Sequence, residues 1–292
     1  MLPSVLSVLL MGMLPVLGVQ TTDSLTLSNL TIASPSPLLA AESPRTFTLQ
    51  GPFSASGVLV IDFDSGQILF ERDARVARPM ASLTKLMTAL LIVEEHGLDE
   101  WVTVPGGIKW MDGTVAYLAE GQQFTVGDLL TAMLVASAND AAETLAVYHS
   151  GSSQAFATEM NERAKSLGLK QTSFANPIGL DAEYQWSTPR DIAWLSTFAM
   201  RNPEILKRMS MRGARIESRD GTAIYLTHTH AFMHEDSNVI AGKTGTTIGA
   251  NQCLMSLVQS GDRRYLVVLL NSLQRYRDMR TILNELSPTD VL

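Results

Sequence analysis

Three short strings in this chain of 292 residues carry groups that acyl-transfer chemistry needs. They are Ser82-Leu83-Thr84-Lys85, Ser137-Ala138-Asn139 and Lys243-Thr244-Gly245, in that order. Ser82 and Lys85 are three residues apart, so on one helix face the lysine amine reaches the serine hydroxyl. A helix N-terminus there favours negative charge on the serine oxygen as it attacks. A lysine serves as base only when its pKa is lowered, by burial or by a neighbouring cation; Lys243 is a candidate for that cation. Ser137 and Asn139 bring a hydroxyl and a carboxamide to the break between two apolar helices. Each is also an ordinary helix-boundary residue. Lys243 and Thr244 put a cation and a hydroxyl on a strand edge, where a substrate carboxylate can be held, and Gly245 allows close backbone approach. Together the strings point to a serine acyltransferase with lysine as its base.

The surrounding sequence supplies elements to hold these groups. Val58 to Phe63 and Gln67 to Glu71 are strand-like runs joined by Asp64-Ser65-Gly66, a hairpin signal. The apolar spacing after Ser82 fits a helix that ends at Gly97. Trp101 to Val104 reads as a short strand, and Val126 to Val135, Ala141 to Tyr148 and Gln154 to Leu167 as helices, the last closed by Gly168. Thr188-Pro189-Arg190-Asp191 is a helix start with cap, proline and acid in place. Strands return at Arg215 to Glu217, Ala223 to Leu226, Val239 to Gly242, Gln252 to Val258 and Tyr265 to Leu270, and Arg277 to Leu286 closes as a helix. Strands, then helices, then strands predict an α+β fold: an antiparallel sheet flanked by helices, with an all-helical lobe inserted between its halves and the active site between them.

The net charge of −7 argues against a nucleic-acid partner. The single cysteine, Cys253, lies in an apolar run and reads as a buried hydrophobe. No histidine or cysteine cluster has metal-ligand spacing, and His228 and His230, flanking Thr229, read as an alternating strand or loop pair. Residues 1–20 carry no charge and are rich in Leu, Val and Met, as in a signal peptide or N-terminal anchor, although no Lys or Arg precedes Arg45. Residues 21–51 are rich in Ser, Thr and Pro and read as a disordered linker, which leaves 52–292 as the catalytic domain.

The motifs and their flanks resemble the low-molecular-mass penicillin-binding proteins that act as D-alanyl-D-alanine carboxypeptidases, serine peptidase family S11. The resemblance extends through the hairpin Asp64–Glu71, the segment Pro79–Ala89, Asn176-Pro177-Ile178-Gly179-Leu180-Asp181 and Ser187–Asp191, about residues 55 to 287. It implies a β-lactamase/transpeptidase-like fold and no cofactor. It also implies roles. Ser82 attacks the carbonyl of the penultimate D-alanine, Lys85 takes its proton, Ser137 relays a proton to the leaving amine, and Asn139 bonds the substrate peptide and places Lys85. Lys243 and Thr244 hold the terminal carboxylate, aided by Arg277 early in the closing helix, with Arg275 and Arg280 competing for that part. The N–H groups of Ser82 and Thr246 form an oxyanion hole, with each donor typically worth about 2.7–4 kcal/mol. The implied partners are peptidoglycan stem peptides and, as covalent inhibitors of Ser82, β-lactam antibiotics.

The resemblance further implies export to the cell envelope. Because the chain stops at Leu292, soon after the closing helix, the C-terminal β-rich domain and anchoring helix of larger members are expected to be absent, with membrane attachment only through the N-terminal segment. Pro189 stands where the family commonly has a small residue. Three rival readings remain: a D,D-endopeptidase or transpeptidase of the same fold; a class A-like β-lactamase, whose deacylating glutamate has only Glu183 as a candidate here; and a catalytically dead peptidoglycan-binding module, against which the intact motifs argue.

Overall fold

The computed structural model describes residues 47–49, 52–108 and 111–286. The N-terminal apolar segment and almost all of the expected linker lie outside these residues.

One five-stranded antiparallel sheet organises the fold, in the order β2-β1-β9-β8-β7. Its strands are β1 (Gly57–Asp62), β2 (Ile68–Arg72), β7 (Val239–Thr247), β8 (Asn251–Ser260) and β9 (Arg263–Ser272). Strands from the two ends of the chain therefore meet at the β1–β9 pair, where Val58 faces Leu269 and Val60 faces Val267. The sheet is buried on both faces, so its central strands read as continuous apolar runs rather than alternations. Along β9, Leu266, Val268 and Leu270 join the core under the helical lobe, whereas Val267 and Leu269 join a second core on the opposite face. Helix α7 (Arg275–Leu286) covers that second face with Met279 and Ile282.

The helical lobe comes between β2 and β7. A 3-10 turn, Ala81–Thr84, runs into α1 (Lys85–Glu95), followed by α2 (Val126–Val135), α3 (Asn139–Ser150) and α4 (Ser153–Ser166). Helices α5 (Pro189–Arg201) and α6 (Pro203–Met209) complete it, with two small hairpins, β3 (Trp101–Thr103) with β4 (Gln123–Thr125) and β5 (Gly213–Glu217) with β6 (Ala223–Thr227). Every residue of α1 from Lys85 to Ile92 is buried, so α1 is the lobe's central helix. Caps set the helix starts, at Thr188 as the sequence indicates. The Thr188 side chain accepts from Asp191 N with Pro189 in the first turn, and Thr125 does the same for Asp128 N.

The architecture is the expected α+β arrangement, with three local differences. Helix α1 begins at Lys85, because the four residues before it, Ala81–Thr84, take the tighter 3-10 geometry. Strand β7 does not stop at Gly242 but runs through the Lys243-Thr244-Gly245 string to Thr247, paired with β8 from Ala241 onward. Helix α6 and strand β4 were not expected; both are short, and β4 forms by pairing with β3, a partner 20 or more residues earlier in the chain.

Candidate active site

Ser82 sits in the 3-10 turn that opens α1. The turn is held by Thr84 Oγ1 donating to Ala81 O at 2.8 Å, and Gln185 Nε2 donates in turn to Thr84 Oγ1 at 2.7 Å. Ala81, just before the serine, has φ +48, a left-handed conformation that costs a non-glycine residue energy and is found where the surroundings enforce it. Here the enforcement is visible: Leu83 N donates to Met80 O, and Lys85 N to Ser82 O. The result brings Lys85 Nζ to 2.9 Å from Ser82 Oγ.

The amine of Lys85 is fully buried and makes two further contacts, to Asn139 Oδ1 at 2.7 Å and to the Ile178 carbonyl at 2.6 Å. Burial lowers its pKa to about 7, against the opposing pull of the Asp140 carboxylate. Of burial and a neighbouring cation, burial is the larger cause for this base. Lys243 is equally buried and is held well below the ordinary lysine range by burial first, then by the positive charges of Lys85 and Arg275.

Ser137 occupies the one-turn gap between α2 and α3 with φ +60. This left-handed step turns its hydroxyl toward the sheet, where Lys243 Nζ lies 2.7 Å away. Asn139 opens α3 and is nearly fully buried. Its Oδ1 accepts from Lys85, and its Nδ2 donates to Asp112 O at 2.6 Å. The next residue, Asp140, accepts from Ala116 N and Leu118 N at 2.9–3.0 Å, pinning the loop 112–118 beside the cleft.

The opposite wall is β7, an edge strand of the sheet. Lys243 Nζ also donates to Thr244 O at 2.8 Å. Thr244 Oγ1 lies 2.6 Å from Thr229 Oγ1. Gly245 is needed for contact: a Cβ there would stand 2.8 Å from Ala81 Cβ and 2.9 Å from Ser82 N. A cavity of about 180 Å³ opens between the walls, lined by Ser82, Ser137, Asn139, Thr244, Thr246 and Arg275 among others.

Of the residues singled out in the sequence, Ser82, Lys85, Ser137, Asn139, Lys243, Thr244, Gly245 and Thr246 converge here. Arg277 does not. It is exposed on α7 and its Nη1 donates to Gln274 Oε1 at 3.3 Å. Arg275 takes the place instead, with Nη1 2.8 Å from both Gly245 O and Thr246 Oγ1. Its backbone N–H is fixed by Gln252 Oε1 on β8, and residues two apart at a helix start point in different directions. Glu183 is exposed and does not line the cleft.

Sequence reasoning missed the contribution of segment 176–181 as a physical element of the site. Asn176 Oδ1 gathers the N–H groups of Ile178, Gly179 and Leu180 at 3.3, 2.7 and 3.2 Å, so that the Ile178 carbonyl points at Lys85. Gly179 has φ +90, and a Cβ there would overlap Ala81 O at 2.1 Å. An Asn followed by Pro-Ile-Gly is a readable turn signal, but nothing local says where that turn lands. Thr229 carried no signal at all.

A family model described as D-alanyl-D-alanine carboxypeptidase, peptidase S11, matches residues 45–273. The chain is 30% identical over 244 residues to the D-alanyl-D-alanine carboxypeptidase DacF of Bacillus subtilis, covering 82% of this chain and 62% of that protein. It is 28% identical over 245 residues to a D-alanyl-D-alanine endopeptidase of Escherichia coli, covering 82% of this chain and 79% of the relative. Among solved structures it resembles the Streptomyces K15 DD-transpeptidase, with TM-score 0.76, 25% identity, and 82% and 99% of the two chains covered. The chain thus spans less than two thirds of DacF's length while covering nearly all of a transpeptidase of the same fold. The chain belongs to the D-alanyl-D-alanine carboxypeptidase family, peptidase S11.

Proposed function

We propose that this protein is a serine-type D-Ala-D-Ala carboxypeptidase that trims the terminal D-alanine from peptidoglycan stem pentapeptides through an acyl-enzyme on Ser82. The observation that carries this reading is the 2.9 Å contact between Ser82 Oγ and a buried Lys85 whose pKa is lowered to about 7. An amine poised near neutral pH is neutral often enough to accept a proton, and basic enough to hold it.

In the first half-reaction Ser82 Oγ attacks the penultimate D-alanine carbonyl while Lys85 Nζ takes the hydroxyl proton. The Ser82 and Thr246 N–H groups hold the developing oxyanion, and Gly245 lets β7 lie close enough for both to reach it. The C–N bond then breaks as the proton held by Lys85 is passed on through Ser137, whose hydroxyl is paired to Lys243, to the leaving amine, which leaves Lys85 neutral again. The terminal carboxylate sits against Thr244, Lys243 and Arg275. Water then attacks the acyl-enzyme carbonyl, giving its proton to Lys85, and Ser82 is released with its hydrogen restored. A β-lactam enters by the same first step.

The catalytic domain on this reading is 52–292, exported to the cell envelope and tied there through the residues before it. A D,D-endopeptidase is the second reading, because endopeptidases of the family align over most of their length. A lactamase is disfavoured by the exposed position of Glu183. Purified protein incubated with fluorescent penicillin and with a D-Ala-D-Ala-terminated pentapeptide is expected to be labelled on Ser82 and to release D-alanine. Cleavage of cross-linked dimers without D-alanine release would give the endopeptidase; rapid penicillin turnover would give the lactamase.

A further inference from the structure

The tripeptide His228-Thr229-His230 is a rigid strap between the two walls of the cleft. Every backbone contact in it is taken. His228 N donates to Arg212 O at 2.9 Å and His234 Nε2 meets His228 O at 2.8 Å. Thr229 N donates to Val135 O at 3.1 Å, two residues before Ser137, and Tyr276 OH donates to Thr229 O at 3.1 Å. His230 N donates to His228 Nδ1 at 3.0 Å, and the His230 ring meets Ser256 Oγ at 2.8 Å. Both histidines are at least 98% buried. The only side chain of the strap that reaches the cleft is Thr229, and it meets Thr244 Oγ1 at 2.6 Å.

We infer that Thr229 is a positioning residue for the substrate carboxylate, acting through Thr244; the inference rests on the carboxylate-binding part of the function proposed above. Two hydroxyls in contact hold one proton between them. If Thr244 spent its proton on Thr229, it would present only lone pairs to an incoming carboxylate. With Thr229 as donor, the Thr244 proton is free to point into the cleft, and the two O–H groups run in one direction, each polarising the next. A carboxylate accepts but cannot donate, so it selects this order on binding. The fixed strap keeps Thr229 in place, so the alignment is not assembled anew with each substrate. No group is consumed, and no bond is made or broken by Thr229.

The test compares Thr229→Val, which keeps the shape and removes the hydroxyl, with Thr229→Ser, which restores it. Acylation of Ser82 is measured with benzylpenicillin and with its methyl ester, which lacks the negative carboxylate, alongside D-alanine release from the pentapeptide. The expected result is that Thr229→Val lowers the acid-over-ester acylation ratio about 10-fold and raises KM for the pentapeptide more than it lowers kcat, with Thr229→Ser close to the parent. An unchanged acid-over-ester ratio in Thr229→Val, or a loss that Thr229→Ser does not repair, overturns the inference. Penicillin acylation without D-alanine release would remove the carboxypeptidase reading while leaving the ratio to decide on Thr229. Absence of both reactions in the parent would remove both.

Discussion

Lys243 Nζ and Ser137 Oγ meet at 2.7 Å across the cleft, joining the edge strand of the sheet to the gap between two helices of the lobe. The contact binds the two walls through groups to which the proposed reaction gives roles, so a change at Ser137 is felt on both sides.

Ser137→Ala and Ser137→Gly are expected to lose peptidase activity to a similar degree, about 100-fold or more, since both remove the proton relay. They should differ in stability. Ser137 holds φ +60, which glycine adopts freely, so Ser137→Gly should be more stable than Ser137→Ala by roughly 1 kcal/mol and unfold at a higher temperature. Equal melting temperatures would contradict the assignment of strain to this step.

Acylation of Ser82 should rise with pH through about 7, as Lys85 loses its proton. Lys85→Arg, cationic at every accessible pH, should acylate at least 100-fold more slowly and show no such rise. A penicillin-labelling rate measured from pH 5 to 9 is the check; a flat profile for the parent would remove Lys85 as the base.

The same residue links stability to pH. The folded chain keeps Lys85 neutral down to about 7, whereas the ordinary value is 10.5, so between these limits the unfolded chain binds more protons. Stability contributed by this group therefore rises from pH about 7 to 10.5. His228, lowered to about 4 from 6.5 by burial first and by Lys243 second, acts likewise in its own window. Its share of stability is lost as pH falls from 6.5 to about 4. Urea midpoints for the parent and for Lys85→Met should differ in slope over the alkaline window, with the parent steeper.

Arg275→Leu should raise KM for a D-Ala-D-Ala peptide about 10-fold or more, and Arg277→Leu should leave it within about 2-fold. The guanidinium of Arg275 borders the cleft beside Thr246, whereas Arg277 turns back to Gln274, just before its helix. Steady-state kinetics on the two variants decides between them, and the reverse outcome would restore Arg277 to the site.

Gly179→Ala should dismantle the nucleophile turn, because the added methyl would lie 2.1 Å from Ala81 O and 2.9 Å from Ser82 N. Loss of penicillin labelling together with a lowered melting temperature is expected. A variant that labels normally would show that the 176–181 segment does not support Ser82.

What was legible in the sequence was whatever is written locally. Thr188-Pro189 announces its helix by capping chemistry, and the Asp64-Ser65-Gly66 turn announces its hairpin. Ser82 and Lys85 declare their contact because three residues on a helical turn bring them together. What was hidden depends on partners far along the chain. β7 continues through Gly245 because β8 pairs with it, not because glycine favours strands. Arg275 rather than Arg277 faces the cleft because Gln252, on another strand, fixes the first turn of α7. The Ile178 carbonyl and the Thr229 hydroxyl are supplied by loops whose destination is set only when the lobe closes on the sheet.

Cys253, the single cysteine, lies on β8 beneath the nucleophile turn, with Sγ 3.8 Å from Pro79 O. It is fully buried, and burial lifts its thiol to about 11. A thiol so placed is inert to alkylating reagents until the turn above it lifts. Cys253 can therefore serve as a probe of the turn above it. The rate at which a maleimide captures Cys253, with and without an acyl group on Ser82, reads whether the floor under the nucleophile opens and whether acylation changes it.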